Sequence, residues 1–85
     1  MKTVWKFPID AKCVVITAPV ERFLTAQMQG NTLCVWALVD TEKESRSFGV
    51  SMIGTGWPLE EPIDGSEYIA TVQDGISVWH IFATR

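Results

Sequence analysis

The residues of this chain whose types could do chemistry are few: His80, two cysteines, a run of carboxylates near Glu60, a Gly-Thr-Gly turn and four tryptophans. His80 stands between Trp79 and Ile81. Nucleophilic catalysis needs a nucleophile with a positioned base, and no local motif sets a serine or cysteine beside this imidazole. It reads as a hydrogen-bonded packing residue. A pair of His80 with Cys13 or Cys34, brought together by the fold, is the remaining catalytic option. The cysteines have no metal-ligand spacing and lie in apolar runs, where a free thiol behaves as a small hydrophobe. Both are expected to be buried and unpaired.

Glu60, Glu61, Asp64 and Glu67 are hard oxygen donors that could hold a divalent cation. Their spacing fits no calcium loop, and Pro62 stiffens the middle, so a solvated acidic loop is expected. Gly54-Thr55-Gly56 suggests a phosphate loop. That motif needs more glycine, a lysine and a following helix, whereas Trp57 and Pro58 follow here. A turn with positive φ at the glycines is the expectation. Trp5, Trp36 and Trp79 sit in strand-like runs and read as core. Trp57, in a loop before a proline, is either a lid on the core or an exposed anchor of the kind found at interfaces.

The elements that must position these residues are strands. Short runs rich in β-branched and aromatic residues alternate with turn signals. Thr3–Phe7 is stopped by Pro8, and Lys12–Thr17 by Pro19, since proline lacks the N–H a ladder requires. Arg22–Gln29 and Thr32–Asp40 flank Gly30-Asn31, a two-residue hairpin signal. The register then sets Met28, Leu33, Ala26, Val35, Leu24 and Ala37 on one buried face. The other face would carry Phe23, Thr25, Cys34, Trp36 and Leu38, apolar enough to need a cover. A helix over residues 20–28 is the alternative, but Gln27 interrupts its stripe. A fifth strand spans Ser47–Thr55. Glu67–Gln73 and Ile76–Ala83 are joined through Asp74-Gly75, where a three-residue bulged turn is preferred to a two-residue one. The result is a single all-β domain of about seven short antiparallel strands over residues 1–85: a meander, barrel or sandwich.

Composition narrows the function classes. Seven basic and ten acidic side chains give a formal charge of −3 in 85 residues. That disfavours binding nucleic acid through general phosphate attraction. Five acids and no lysine or arginine occur between Ser47 and Thr84, which makes that half acidic. No apolar run reaches the length of a membrane span, and the opening residues lack the apolar core of a secretory leader. Mean hydropathy is +0.15, too apolar for a disordered chain.

Several pieces occur together in one known family. They are Met1-Lys2-Thr3-Val4-Trp5-Lys6-Phe7, Leu33-Cys34-Val35-Trp36-Ala37-Leu38-Val39-Asp40, Gly54-Thr55-Gly56-Trp57-Pro58, Tyr68-Ile69-Ala70-Thr71-Val72-Gln73 and Val78-Trp79-His80-Ile81-Phe82. In these the chain resembles a family of small uncharacterised proteins of tailed bacteriophages and prophages. The resemblance spans nearly the whole chain and brings no catalytic residue. The family's loop has histidine or tryptophan before the proline; this chain has Trp57 there, so if the loop carried chemistry through a histidine at that position, it could not do so here.

The expected function is that of a non-enzymatic accessory protein that binds a host protein, with antiviral-defence proteins as one class of partner. Its place would be the host cytoplasm. The candidate binding residues are Trp57, Trp36, Glu60, Glu61 and Asp64, with no cofactor and no metal. A homo-oligomer is expected, because 85 residues supply little else to cover the second hairpin face. The alternatives are a decoration or tail-associated component of the virion, and an oligomer that sequesters a small nucleotide between tryptophans with Arg22 or Arg46 at its phosphates.

Overall fold

The computed structural model describes residues 1–59 and 66–84. Seven strands follow in order: β1 (Lys2–Ile9), β2 (Cys13–Ala18), β3 (Val20–Gln29), β4 (Thr32–Asp40), β5 (Arg46–Gly54), β6 (Glu67–Asp74) and β7 (Ser77–Thr84). They form two antiparallel sheets, β1-β4-β3 and β2-β5-β7-β6. The sheets lie face to face without closing into a barrel. The shortest extent is 16 Å, as for two layers about 10 Å apart. No helix among the described residues is long and apolar enough to cross a membrane.

Alternation with period two builds the core. Leu33, Val35, Ala37 and Val39 of β4 are all buried and point one way. Phe48 and Val50 of β5, and Ile81 and Ala83 of β7, answer from the second sheet. The Gly30-Asn31 hairpin has the expected pairing, Met28 with Leu33 and Ala26 with Val35. Gly30 has φ +62° and Asn31 does not share it, the type II′ pattern with glycine first.

Further along β3 the expected register fails. A bulge falls between Phe23 and Thr25, so Phe23 rather than Leu24 pairs with Ala37. Phe23 is 5% exposed and Leu24 38%. The extra residue flips every side chain before it, which turns the phenyl ring into the core and the leucine out. There Phe23 meets Phe48 edge to face, centroids 5.4 Å apart. A second bulge lies between Val20 and Arg22.

Three other expectations are corrected. Pro8 does not stop β1 and pairs with Cys34. β1 is an edge strand, where a residue with no N–H to donate is tolerated. The β6–β7 hairpin turns on Gly75-Ile76, with Asp74 opposite Ser77, Thr71 opposite His80 and Ala70 opposite Ile81. Both expected registers put the glycine too late in the turn. Gly75 has φ +59° and takes the first loop position, as Gly30 does, leaving Ile76 fully exposed at the tip. Finally, Cys13 is exposed although Cys34 is buried; both are free thiols.

The turn after β4 rests on Asp40, a buried residue. Its Oδ1 accepts the N–H of Glu42 at 3.1 Å, and its carbonyl accepts the N–H of Lys43 at 3.0 Å. The hydrogen bond from Glu42 holds the carboxyl below its ordinary range. Burial opposes that shift, and the amino group of Met1, 3.6 Å away, reinforces it.

The bulge makes a direct prediction. Phe23→Ala should cost about 3–5 kcal/mol, as for a buried phenyl ring. Leu24→Ala should stay within about 0.5 kcal/mol, as for a surface change. Urea midpoints measure both, and equal losses at the two positions would refute the assignment.

Candidate aromatic binding site

The Gly54–Pro58 segment is built around one short turn. The N–H of Trp57 donates to the carbonyl of Gly54 at 3.0 Å, and Gly56 has φ +86°. This is a type II turn with glycine at its third position. The N–H of Thr55 donates to the carbonyl of Val78 at 3.2 Å, which ties the turn to β7. Positive φ is therefore needed at Gly56 alone. Gly54 is glycine for a different reason: a Cβ there would lie 2.7 Å from the indole of Trp57. The turn folds Trp57 back across a backbone that has no side chain.

So placed, Trp57 packs edge to face on Trp79, centroids 5.2 Å apart and planes at 81°. The ammonium of Lys12 sits 5.0 Å from the Trp57 ring centroid, within cation–π range. Trp57 is nonetheless 42% exposed. It is thus both a lid over Trp79 and an exposed ring. It shares a pocket of about 220 Å³ with Trp79, Ile76 and Thr55. Ile76 is fully exposed, and Leu59, two residues beyond Trp57, is about half exposed.

Trp36 lies elsewhere. It pairs with Lys6 and Thr25 on the face of the first sheet turned away from the core, and is half-buried. The structure does not bring it to Trp57. Glu60, Glu61 and Asp64 lie outside the described residues. Among the described residues no group of three histidine, cysteine or acidic side chains could hold a metal.

His80 carries a chain of hydroxyls. Thr55 Oγ1 is 2.6 Å from its Nε2, Thr71 Oγ1 is 3.2 Å from its Nδ1, and Tyr68 Oη is 2.7 Å from Thr71 Oγ1. A hydroxyl both donates and accepts, so the ring keeps both partners whether neutral or charged. Neither cysteine is among them. Sequence reasoning missed this chain because its members meet through β5, β6 and β7, and it missed Lys12 and Ile76 as neighbours of Trp57. The position of Gly75 in its turn was the available signal for Ile76.

A wider groove of about 580 Å³ lies by Pro19, Glu21, Lys43 and Arg46. Glu21 there meets Lys2 at 3.4 Å and Lys43 at 3.7 Å, whereas Glu44 and Arg46 have no ion-pair partner among the described residues.

Trp57 and Gly54 should be energetically coupled. Gly54→Ala, by displacing the indole, should cost about 1–3 kcal/mol. In a Trp57→Ala background the same change should cost much less. Urea denaturation of the four chains closes the cycle, and additive losses would refute the packing.

The family model that matches this chain is described as Domain of unknown function (DUF7352), and it covers residues 1–85. No curated protein and no solved structure matches the chain.

Proposed function

The chain belongs to the DUF7352 family, and on that premise we propose that it is a small non-enzymatic binding protein that docks a partner protein at its Trp57 end. The observation that carries this reading is an aromatic ring fixed by Gly54, Trp79 and Lys12 yet 42% exposed, beside a fully exposed isoleucine. Interface anchors are commonly tryptophans, and one held in place before binding loses little freedom on binding. The His80 chain supports the same reading. Both ring nitrogens face threonine hydroxyls, with no carboxylate among these described partners to orient the ring as a catalytic triad does.

The resemblance to phage and prophage proteins makes a host protein the partner, with antiviral-defence proteins as the first class to examine, and the host cytoplasm the place. Tagged protein should capture a discrete host partner from lysate. Trp57→Ala and Ile76→Asn should each lose it while remaining folded. Ile76→Asn is the cleaner variant, because its side chain is fully exposed. Capture indifferent to both changes overturns the reading. Abundance in purified virions at a fixed copy number would make it a structural component instead.

Self-association belongs to the proposal. Val4, Trp36 and Leu38 share the outward face of the first sheet with Lys6 and Arg22. Two copies meeting there would bring like charges together, so salt should strengthen the contact by screening them. Light scattering should then give a mass that rises with salt and protein concentration. A mass staying near 9.5 kDa rejects it.

A further inference from the structure

Behind Trp79 lies a second recess. A cleft of about 360 Å³ opens where the two sheets end, floored by Ile9, Met28, Met52 and Trp79. Asp10 and Asp74 stand at its mouth, both exposed. Among the described residues no lysine, arginine or histidine lines it. Asp10 and Asp74 form no ion pair with any described residue. Lys12, two residues after Asp10, has its ammonium over Trp57 instead. The carboxylates at this rim are therefore left without a counter-charge, above a floor that is apolar and adaptable through two methionines.

A lysine or arginine side chain has the complementary form: a methylene stem that prefers apolar surface and a charged head that does not. We propose that the cleft receives one such side chain from the partner protein, with the stem against Met28, Met52 and Trp79 and the head between Asp10 and Asp74. The proposal rests on the reading that this end docks a partner, and it adds the partner's chemistry. Trp79 is common to both recesses. One partner segment can thus lay apolar residues on Trp57 and Ile76 and a basic residue behind Trp79.

The test pans a displayed library of random nonapeptides against the full chain. Affinities of the enriched peptides, made synthetically, are then measured for wild type, Asp10→Asn/Asp74→Asn, Trp57→Ala and Ile76→Asn. Both aspartates are exposed, so the asparagine variant keeps its fold, which a melting curve verifies. The expected result is enrichment of lysine or arginine next to apolar residues. Affinity should fall about tenfold or more in the asparagine variant, the scale of hydrogen bonds to charged groups. No enrichment, enriched peptides without a basic residue, or affinity unchanged by the asparagine pair overturns the proposal. If binding depends on Trp57 and Ile76 but not on the aspartates, the docking end stands and the basic side chain falls. If it depends on none of them, both fall. Spermidine binding at the aspartates as tightly as the best peptide would assign the cleft to a free polyamine and overturn the partner side chain.

Discussion

The two sheets meet in the edge-to-face contact of Phe23 with Phe48, part of a core shared by both sheets, and that contact exists only because β3 is bulged at Leu24. Side chains on a strand alternate, so an unbulged β3 keeping the Gly30 register would bury Leu24 and expose Phe23. The bulge inserts one residue and reverses that choice. An aromatic pair of this geometry contributes about 0.5–1.5 kcal/mol beyond the area it buries. In a domain of 85 residues, where a single core leaves a small margin, that is a sizeable share. The bulge also bends β3, which packs alongside β6 of the other sheet.

The strands themselves were legible, because β-branched runs and glycine or proline punctuation are local signals. The first hairpin was legible to its register, since Gly30-Asn31 and the apolar pairs of both strands agree. What escaped was non-local. A bulge has no residue signature of its own: Leu24 and Phe23 are both apolar, and only the partner sheet decides which is buried. Pro8 looked like a stop because its place at a sheet edge depends on β4, some 25 residues on in the chain. The second hairpin erred on a local point. Treating Gly75 as the last loop residue set Ile76 in the strand facing Val72, when in this type II′ turn positive φ belongs to the first position.

The candidate site divides in the same way. Trp57 before Pro58 was recognisable as a loop aromatic, and the ring is both packed on Trp79 and 42% exposed. The reason for Gly54 was not recognisable, because the atom it makes room for belongs to a residue that returns over it through a turn. Trp36 was singled out by residue type, and the fold sets it on the other sheet. Lys12 and Asp10 are neighbours in sequence but serve different recesses, which only the packing of the β1–β2 connection could reveal.

Charge is distributed unevenly between the ends of the sandwich. At one end most acids have partners, Glu21 with Lys2 and Lys43, Asp40 and Glu42 with the amino group of Met1, while Glu44 beside them has no ion-pair partner among the described residues. At the other, Asp10 and Asp74 have no ion-pair partner among the described residues, and Lys12 is drawn to an indole. Exposed ion pairs contribute little to stability, so folding alone does not require one end to be paired and the other not. Exposed apolar side chains likewise gain nothing for folding, and an exposed isoleucine at a turn tip is replaceable by asparagine. Unpaired carboxylates, a half-exposed tryptophan and an exposed isoleucine occur at one end of the molecule. On the proposed reading, that concentration marks a surface completed from outside by the partner.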